Sequence, residues 1–147
     1  MNVDVRRVVT AGELLDAYAF SRNVFVVEQQ VPASIERDDL DDAASHVVAY
    51  LDGVAAGTGR LVVSGDVGRV GRMAVRAPAR RAGIGAAILR ELESIAVDRG
   101  CKIIELHAQR HAAIFYQSLG YAAYGEPFVE AGIEHVRMNR HSPVRPL

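Results

Sequence analysis

The segment that most narrows what this chain can fold into runs from Val75 to Leu92, VRAPARRAGIGAAILREL. It joins the end of an apolar, strand-like run to the start of an amphipathic one through Arg80, Arg81, Ala82, Gly83, Ile84, Gly85 and Ala86. A helix that starts here leaves its first backbone amides without intrahelical acceptors, and its dipole adds partial positive charge. Gly83 and Gly85 let a ligand approach that backbone with no Cβ in the way. The two arginines bring full charges beside it. A turn alone needs none of this. The junction reads as a cradle for a phosphate or pyrophosphate, and its plainer alternative is a helix start with a solvated arginine pair.

The flanking sequence supplies the rest of a mixed α/β domain. Val3 to Val9 alternate as a first strand, and Thr10 and Glu13 have capping-box spacing ahead of a helix that buries Leu14, Leu15, Tyr18, Phe25 and Val26. Pro32 ends that helix or begins a second short one, and Glu36 to His46 form an acidic loop. HVVAYL, AAGTGRLVVS and VGRVGRMAVR read as strands separated by tight turns at Asp52-Gly53 and Ser64–Asp66. Ile84 to Arg99 is a helix with Ile84, Ile88, Leu92 and Ile95 on one face and Gly100 closing it. CKIIELHA is a strand, HAAIFYQSLG a helix closed by Gly120, YAAYGEPF and GIEHVRMNR the last strands, and HSPVRPL a tail. The order β-α-α-β-β-β-α-β-α-β-β, without repeat or linker, predicts one domain over residues 1–147.

Composition excludes several classes. Half the residues are hydrophobic and 24% charged, as in soluble globular proteins. A net charge of −1 provides no global field to attract nucleic acid. No apolar run approaches the ~20 residues needed to cross a bilayer, and the N-terminus lacks a signal-peptide pattern. The expectation is a cytoplasmic protein with no membrane or nucleic-acid partner. The single cysteine, Cys101, rules out an intrachain disulfide and reads as a buried structural thiol. Glu36, Asp38, Asp39, Asp41, Asp42 and His46 lack the glycine and spacing of a calcium loop, so no metal site is expected there.

The residues around and after the glycines narrow which anion the cradle holds. A Walker A loop would end in Gly-Lys-Ser/Thr, and this one ends Gly-Ile-Gly. A dinucleotide fingerprint wants a third small residue where Ile88 stands. Coenzyme A fits better, because its pyrophosphate needs such a nest and its amide-bearing arm can pair with a strand edge such as GRMAVR.

Two motifs in order strengthen that reading. Arg80-x-x-Gly83-x-Gly85 after a strand ending Met73-Ala74-Val75, then Gln109-x-x-Ala112-x-x-Phe115-Tyr116-x-x-Leu119-Gly120-Tyr121, resemble the Gcn5-related N-acetyltransferase (GNAT) superfamily. VFVVEQQVP, the acidic loop, GRMAV and GEPFVEAGIEHVRM resemble its ElaA-type branch. The resemblance implies a GNAT fold, a central mixed, mostly antiparallel sheet with helices on both faces. It also implies acetyl-CoA as co-substrate and a primary amine of a small molecule or peptide as acceptor.

By the same resemblance, Met73, Ala74 and Val75 supply backbone donors at a strand bulge, and Arg80 to Ala86 hold the pyrophosphate. Gln109, where asparagine is commoner, touches the cofactor arm or caps the helix. Tyr116 stands beside the sulfur as acid, or is a core aromatic. For the base, Glu28 acting through water, His46 and His107 are candidates. Arg60 and Arg72, in otherwise apolar strands, form structural ion pairs or bind an anionic group of the acceptor. Alternation puts Arg72 with Ala74 on one face and Met73 with Val75 on the other. The rival function is a non-catalytic acyl-CoA-binding sensor or partner-dependent subunit. The final strands also leave room for a homodimer.

Overall fold

Tight turns organise most of the sheet. In the computed structural model, which describes residues 3–22, 44–76 and 83–143, left-handed pairs at Asp52-Gly53 and Ala131-Gly132 reverse the chain between adjacent strands. Their positive φ angles match the twist of the strands they join. The elements are β1 (Val3–Arg7), α1 (Ala11–Arg22), β2 (Ser45–Leu51), β3 (Val54–Ser64), β4 (Val67–Val75), α2 (Ile84–Asp98), β5 (Ile103–Gln109), a 3-10 turn (Arg110–Ala112), α3 (Ala113–Ser118), β6 (Ala122–Glu130) and β7 (Ile133–His141). The seven strands form one sheet in the order β1-β2-β3-β4-β5-β7-β6, antiparallel except for β4 beside β5. The mixed, mostly antiparallel architecture expected from sequence is present.

Helices lie on both faces, and strand alternation shows which residues meet which helix. Val47, Ala49 and Leu61 share a buried cluster with Ile84, Ile88 and Leu92 of α2, all fully buried. Each such aliphatic side chain withdrawn from water contributes about 1.5–3 kcal/mol. The helix lies so close to β3 that a Cβ on Gly57 would sit 2.7 Å from Ile88 Cδ1, and one on Gly59 2.8 Å from Leu92 Cδ1. On the opposite face, the Tyr50 hydroxyl donates to Asp16 of α1 at 2.7 Å. Arg7 ties β1 to α2 through Glu91, Asp98 and Ser94.

The capping box forms as expected: Glu13 N donates to Thr10 Oγ1 at 3.1 Å, and Thr10 N to Glu13 Oε1 at 3.1 Å. Val9 N also donates to that carboxylate, so β1 stops at Arg7 rather than Val9. Leu15 departs from expectation, being 68% exposed while Ala17 takes the buried position. Gly100, at φ +79°, closes α2, and Cys101 is buried, its thiol pushed up by desolvation. The expected HAAIFYQSLG helix is shorter, a 3-10 turn followed by α3, and β6 extends two residues further, to Glu130. The helix after Pro32, the acidic loop from Glu36 to Asp42, Phe25, Val26 and the Tyr18 side chain lie outside the described residues.

Candidate active site

The sheet opens between its two parallel strands. β4 and β5 pair only from Val67–Ile103 to Val70–Leu106, although β4 continues to Val75 and β5 to Gln109. A bulge accompanies the parting. Thr58 pairs with Ala74 but Arg60 with Gly71, so Gly59 faces both Arg72 and Met73. Arg72 carries the irregularity at φ +53°. An extra residue of this kind bends its strand and releases it from one neighbour. The bulge expected around Met73 to Val75 therefore begins one residue earlier.

It also corrects the expected alternation. Gly71 and Ala74 pair with Arg60 and Thr58, two residues of β3 on one face, yet they are three apart in sequence. Alternation consequently does not carry from Ala74 to Arg72. Met73 and Val75 do share a face, both packing on the core beneath α2.

Beside the opening stands the start of α2. Gly83, its N-cap, is left-handed at φ +76° and ψ 11°, a conformation that disfavours any Cβ. No described side chain caps the helix and no acidic residue occupies its first turn. The first amides thus lack an intrahelical acceptor, and no carboxylate within the turn competes for them. Among the described residues, no atom lies within 4 Å of where a Cβ on Gly83 would project. At Gly85 the corresponding position lies 3.5 Å from Phe115 Cζ and 3.6 Å from Val75 Cγ2. Those two contacts join the end of β4, the start of α2 and α3 at one place. A helix start that no described side chain caps, and strand edges that part beyond Val70 and Leu106, fit a phosphate-bearing ligand with an extended arm. Arg80, Arg81 and Ala82 lie outside the described residues.

Tyr116 is buried on α3, its ring edge-on to Phe115 at 5.0 Å and to Tyr121 at 6.2 Å. No described residue hydrogen-bonds its hydroxyl. Burial alone pushes the phenol up to about 12, because a phenolate there would lose its hydration. The side chain is therefore a neutral donor throughout the physiological range.

Gln109 ends β5 at the N-cap of the 3-10 turn, but its side chain does not cap it, which removes that alternative. His46 pairs across β2–β3 with Arg60, so the two share a face, the one away from α2. Arg60 Nε lies 3.7 Å from where a Cβ on Gly71 would project. Arg60 and Arg72 are half-buried, and neither they nor His46 lack a partner. His46 also borders an open cleft with Arg7, Leu14, Ile95 and Arg99. That cleft is at the far end of α2, on the order of 20 Å from Gly83 at 1.5 Å per residue. Glu28 lies outside the described residues.

His107 follows Leu106, the last β5 residue in the ladder with β4. Leu106 and Ala108 are core residues, so His107 lies on the opposite face from Tyr116. Its Nδ1 faces Glu130 Oε1 at 3.3 Å, and Glu130 Oε2 faces Nε2 of buried His135 at 3.7 Å. Sequence reasoning missed Glu130 and His135, which a hairpin brings beside β5. A second missed cluster supports α3: buried Glu93 on α2 accepts from the Tyr121 hydroxyl at 2.8 Å and from Arg90 at 2.7 Å. No group of metal-ligating residues occurs among those described.

Comparison with known proteins agrees with this fold. The acetyltransferase (GNAT) domain family matches residues 11–142. The uncharacterized N-acetyltransferase YjcF of Bacillus subtilis is 38% identical over 127 residues, covering 86% of this chain and 91% of YjcF. A solved structure from Lactobacillus plantarum is similar at a TM-score of 0.88 and 29% identity, covering 97% of this chain and 100% of that one. ElaA of Escherichia coli is 32% identical over 122 residues, 80% of each chain. Its crystal structure matches at a TM-score of 0.83, covering 95% of this chain and 99% of ElaA. A split parallel pair and a glycine helix start packed against Phe115 are thus set in a chain that belongs to the GNAT acetyltransferase family, on its ElaA-like branch.

Proposed function

We propose that this protein transfers the acetyl group of acetyl-CoA to a primary amine of a small molecule or peptide, by direct attack on the thioester. The observation that carries the reading is the meeting of Val75, Gly85 and Phe115, which joins a strand edge, an anion-binding helix start and the helix of Tyr116. In this reading the amides of Ile84, Gly85 and Ala86 hold the pyrophosphate, with Arg80 and Arg81 nearby, and the arm lies along Met73 to Val75. Gln109 faces the arm from β5.

The amine lone pair forms the new N–C bond while the C–S bond breaks. Amides near the bulge donate to the oxyanion, where preorganised donors act most strongly. The amine gives up a proton and the sulfur gains one. Tyr116, raised to about 12, is a weaker acid than a thiol at ~8.5, so complete proton transfer from it runs uphill. Tyr116 therefore donates a hydrogen bond to the developing thiolate, and solvent completes its protonation.

The test is thiol release from acetyl-CoA with tyramine, spermidine, glucosamine and a peptide with a free N-terminus. Amine-dependent release supports transfer. Tight acetyl-CoA binding without release on any of them would make the chain an acyl-CoA binder instead.

A further inference from the structure

We propose that His107 is the group that takes the proton from the acceptor amine, and that Glu130 positions it. The inference rests on the acetyl-transfer reading. A primary amine of lysine-like acidity, ~10.4, is almost entirely ammonium at neutral pH, so attack needs a proton acceptor on the side from which the amine arrives. In this assignment that side is the sheet face opposite Tyr116, which lets the amine approach the reacting carbon from a different direction than the departing sulfur. His107 is on this face, at the first β5 position beyond the ladder with β4.

The hydrogen bond to Glu130 selects the tautomer. A carboxylate can only accept, so Glu130 Oε1, 3.3 Å away, draws the proton onto Nδ1 and leaves the Nε2 lone pair free to receive another. Nε2 has no partner among the described residues. Phe128 holds the ring edge-on at 4.9 Å, so the imidazole cannot turn without losing that packing. His135 is unsuited to the same task. Its Nδ1 donates to the Ile133 carbonyl at 2.7 Å, and its Nε2 faces Glu130.

The other charged groups facing this position come from every neighbouring strand. Glu105 lies on β5, where it pairs with Arg69 of β4 and with the Tyr124 hydroxyl of β6. Arg137 of β7 pairs across from His107 and lies 4.4 Å over the Phe128 ring. Arg137 is thus occupied by an aromatic face rather than by the imidazole. Glu130, half-exposed, is the carboxylate nearest His107 and also suits an arriving ammonium.

In proton terms the step balances. The ammonium gives one proton to Nε2, the neutral amine forms the N–C bond, and its second proton leaves to water or to Nε2 after the first has passed to solvent.

The experiment measures kcat/KM against pH for wild type, His107→Gln and Glu130→Gln, using whichever of tyramine, spermidine, glucosamine and the peptide is fastest. Nitrogen NMR of the imidazoles in wild type and Glu130→Gln accompanies it. His107→Gln should lose about 10²–10⁴-fold at pH 7. The gap should close as the pH approaches that of the free amine, because solvent then does the work of the base. Glu130→Gln should lose less, and its His107 should depart from the Nδ1–H tautomer expected of wild type. A rate equal to wild type at pH 7, a loss independent of pH, or an Nε2–H tautomer in wild type would overturn the assignment while leaving acetyl transfer standing. Absence of thiol release by wild type would overturn acetyl transfer and the assignment with it. Should His107→Gln fail to fold, the wild-type tautomer decides.

Discussion

Tyr116→Phe separates three roles for one hydroxyl, because each predicts a different size of loss. The substitution removes a single oxygen and keeps the ring contacts with Phe115 and Tyr121. No described residue bonds that oxygen, so its removal orphans no described partner, and the melting temperature should hardly move. A hydrogen bond donated to a charged group contributes about 1.5–3 kcal/mol. If that bond to the developing thiolate exists only as sulfur departs, its loss lowers kcat by about 10- to 150-fold. Full proton donation would be worth up to ~10⁴-fold, but burial holds this phenol at about 12, too weak an acid to surrender its proton to a thiolate. The assay is thiol release under saturating amine, with acetyl-CoA affinity measured calorimetrically on the same preparations. The expected result is a loss within that middle range, unchanged affinity and no alkaline fall in rate from Tyr116 near pH 10. Wild-type turnover in the Phe variant would make the ring a core residue only. A loss near 10⁴-fold with a fall near pH 10 would refute the hydrogen-bond argument in favour of proton transfer.

Other consequences can be measured on the same protein. Gly83→Asn and Gly83→Asp share the backbone cost of φ +76° and project into the same open space, so the extra loss of acetyl-CoA affinity in the Asp variant reports charge alone; equal affinities would remove the phosphate from this helix start. Arg72→Gly and Arg72→Ala both delete the guanidinium, but only Ala keeps the left-handed strain, about 1 kcal/mol. The Gly variant should melt higher by calorimetry, and the reverse order would mean the bulge is not strained; acceptor KM raised equally in both would assign the guanidinium to acceptor recognition. Burial raises Tyr116 and, with Glu93, Tyr121 above the ordinary tyrosine value of 10.0. Their stabilisation is full below that value and declines as pH rises through the folded values, so phenolate absorbance from both should appear only with unfolding, and titration near pH 10 with the fold intact would contradict their burial.

The features legible in the sequence are local. The apolar face of α2 repeats at helical spacing, and the Thr10–Glu13 box needs only residues three apart, so neither depends on distant partners. Leu15 departs because helical phase outweighs apolar character: Ala17, small enough for a close contact, takes the buried position. The geometry of the candidate site needs longer-range information. Glu130 and Phe128 reach His107 because Ala131-Gly132 turns β6 back along β7, whose other edge pairs with β5. No pattern around His107 itself announces that contact, although the EPFVEAGIEH run does contain both partners.

The bulge and the β5 alternation show how parity decides the site. In β4, one extra residue at Arg72–Met73 breaks the two-residue rhythm, so an arginine within an apolar run cannot be assigned a face by counting from Ala74. In β5 the rhythm is unbroken, and burial of Ile104, Leu106 and Ala108 beneath α2 and α3 obliges His107 and Gln109 to take the other side. The buried tyrosine and the carboxylate-held histidine consequently lie on opposite faces of the sheet. A ligand arm that enters along the strand edges would then meet a hydrogen-bond donor on one side and a proton acceptor on the other, a separation that the parity of a single strand maintains.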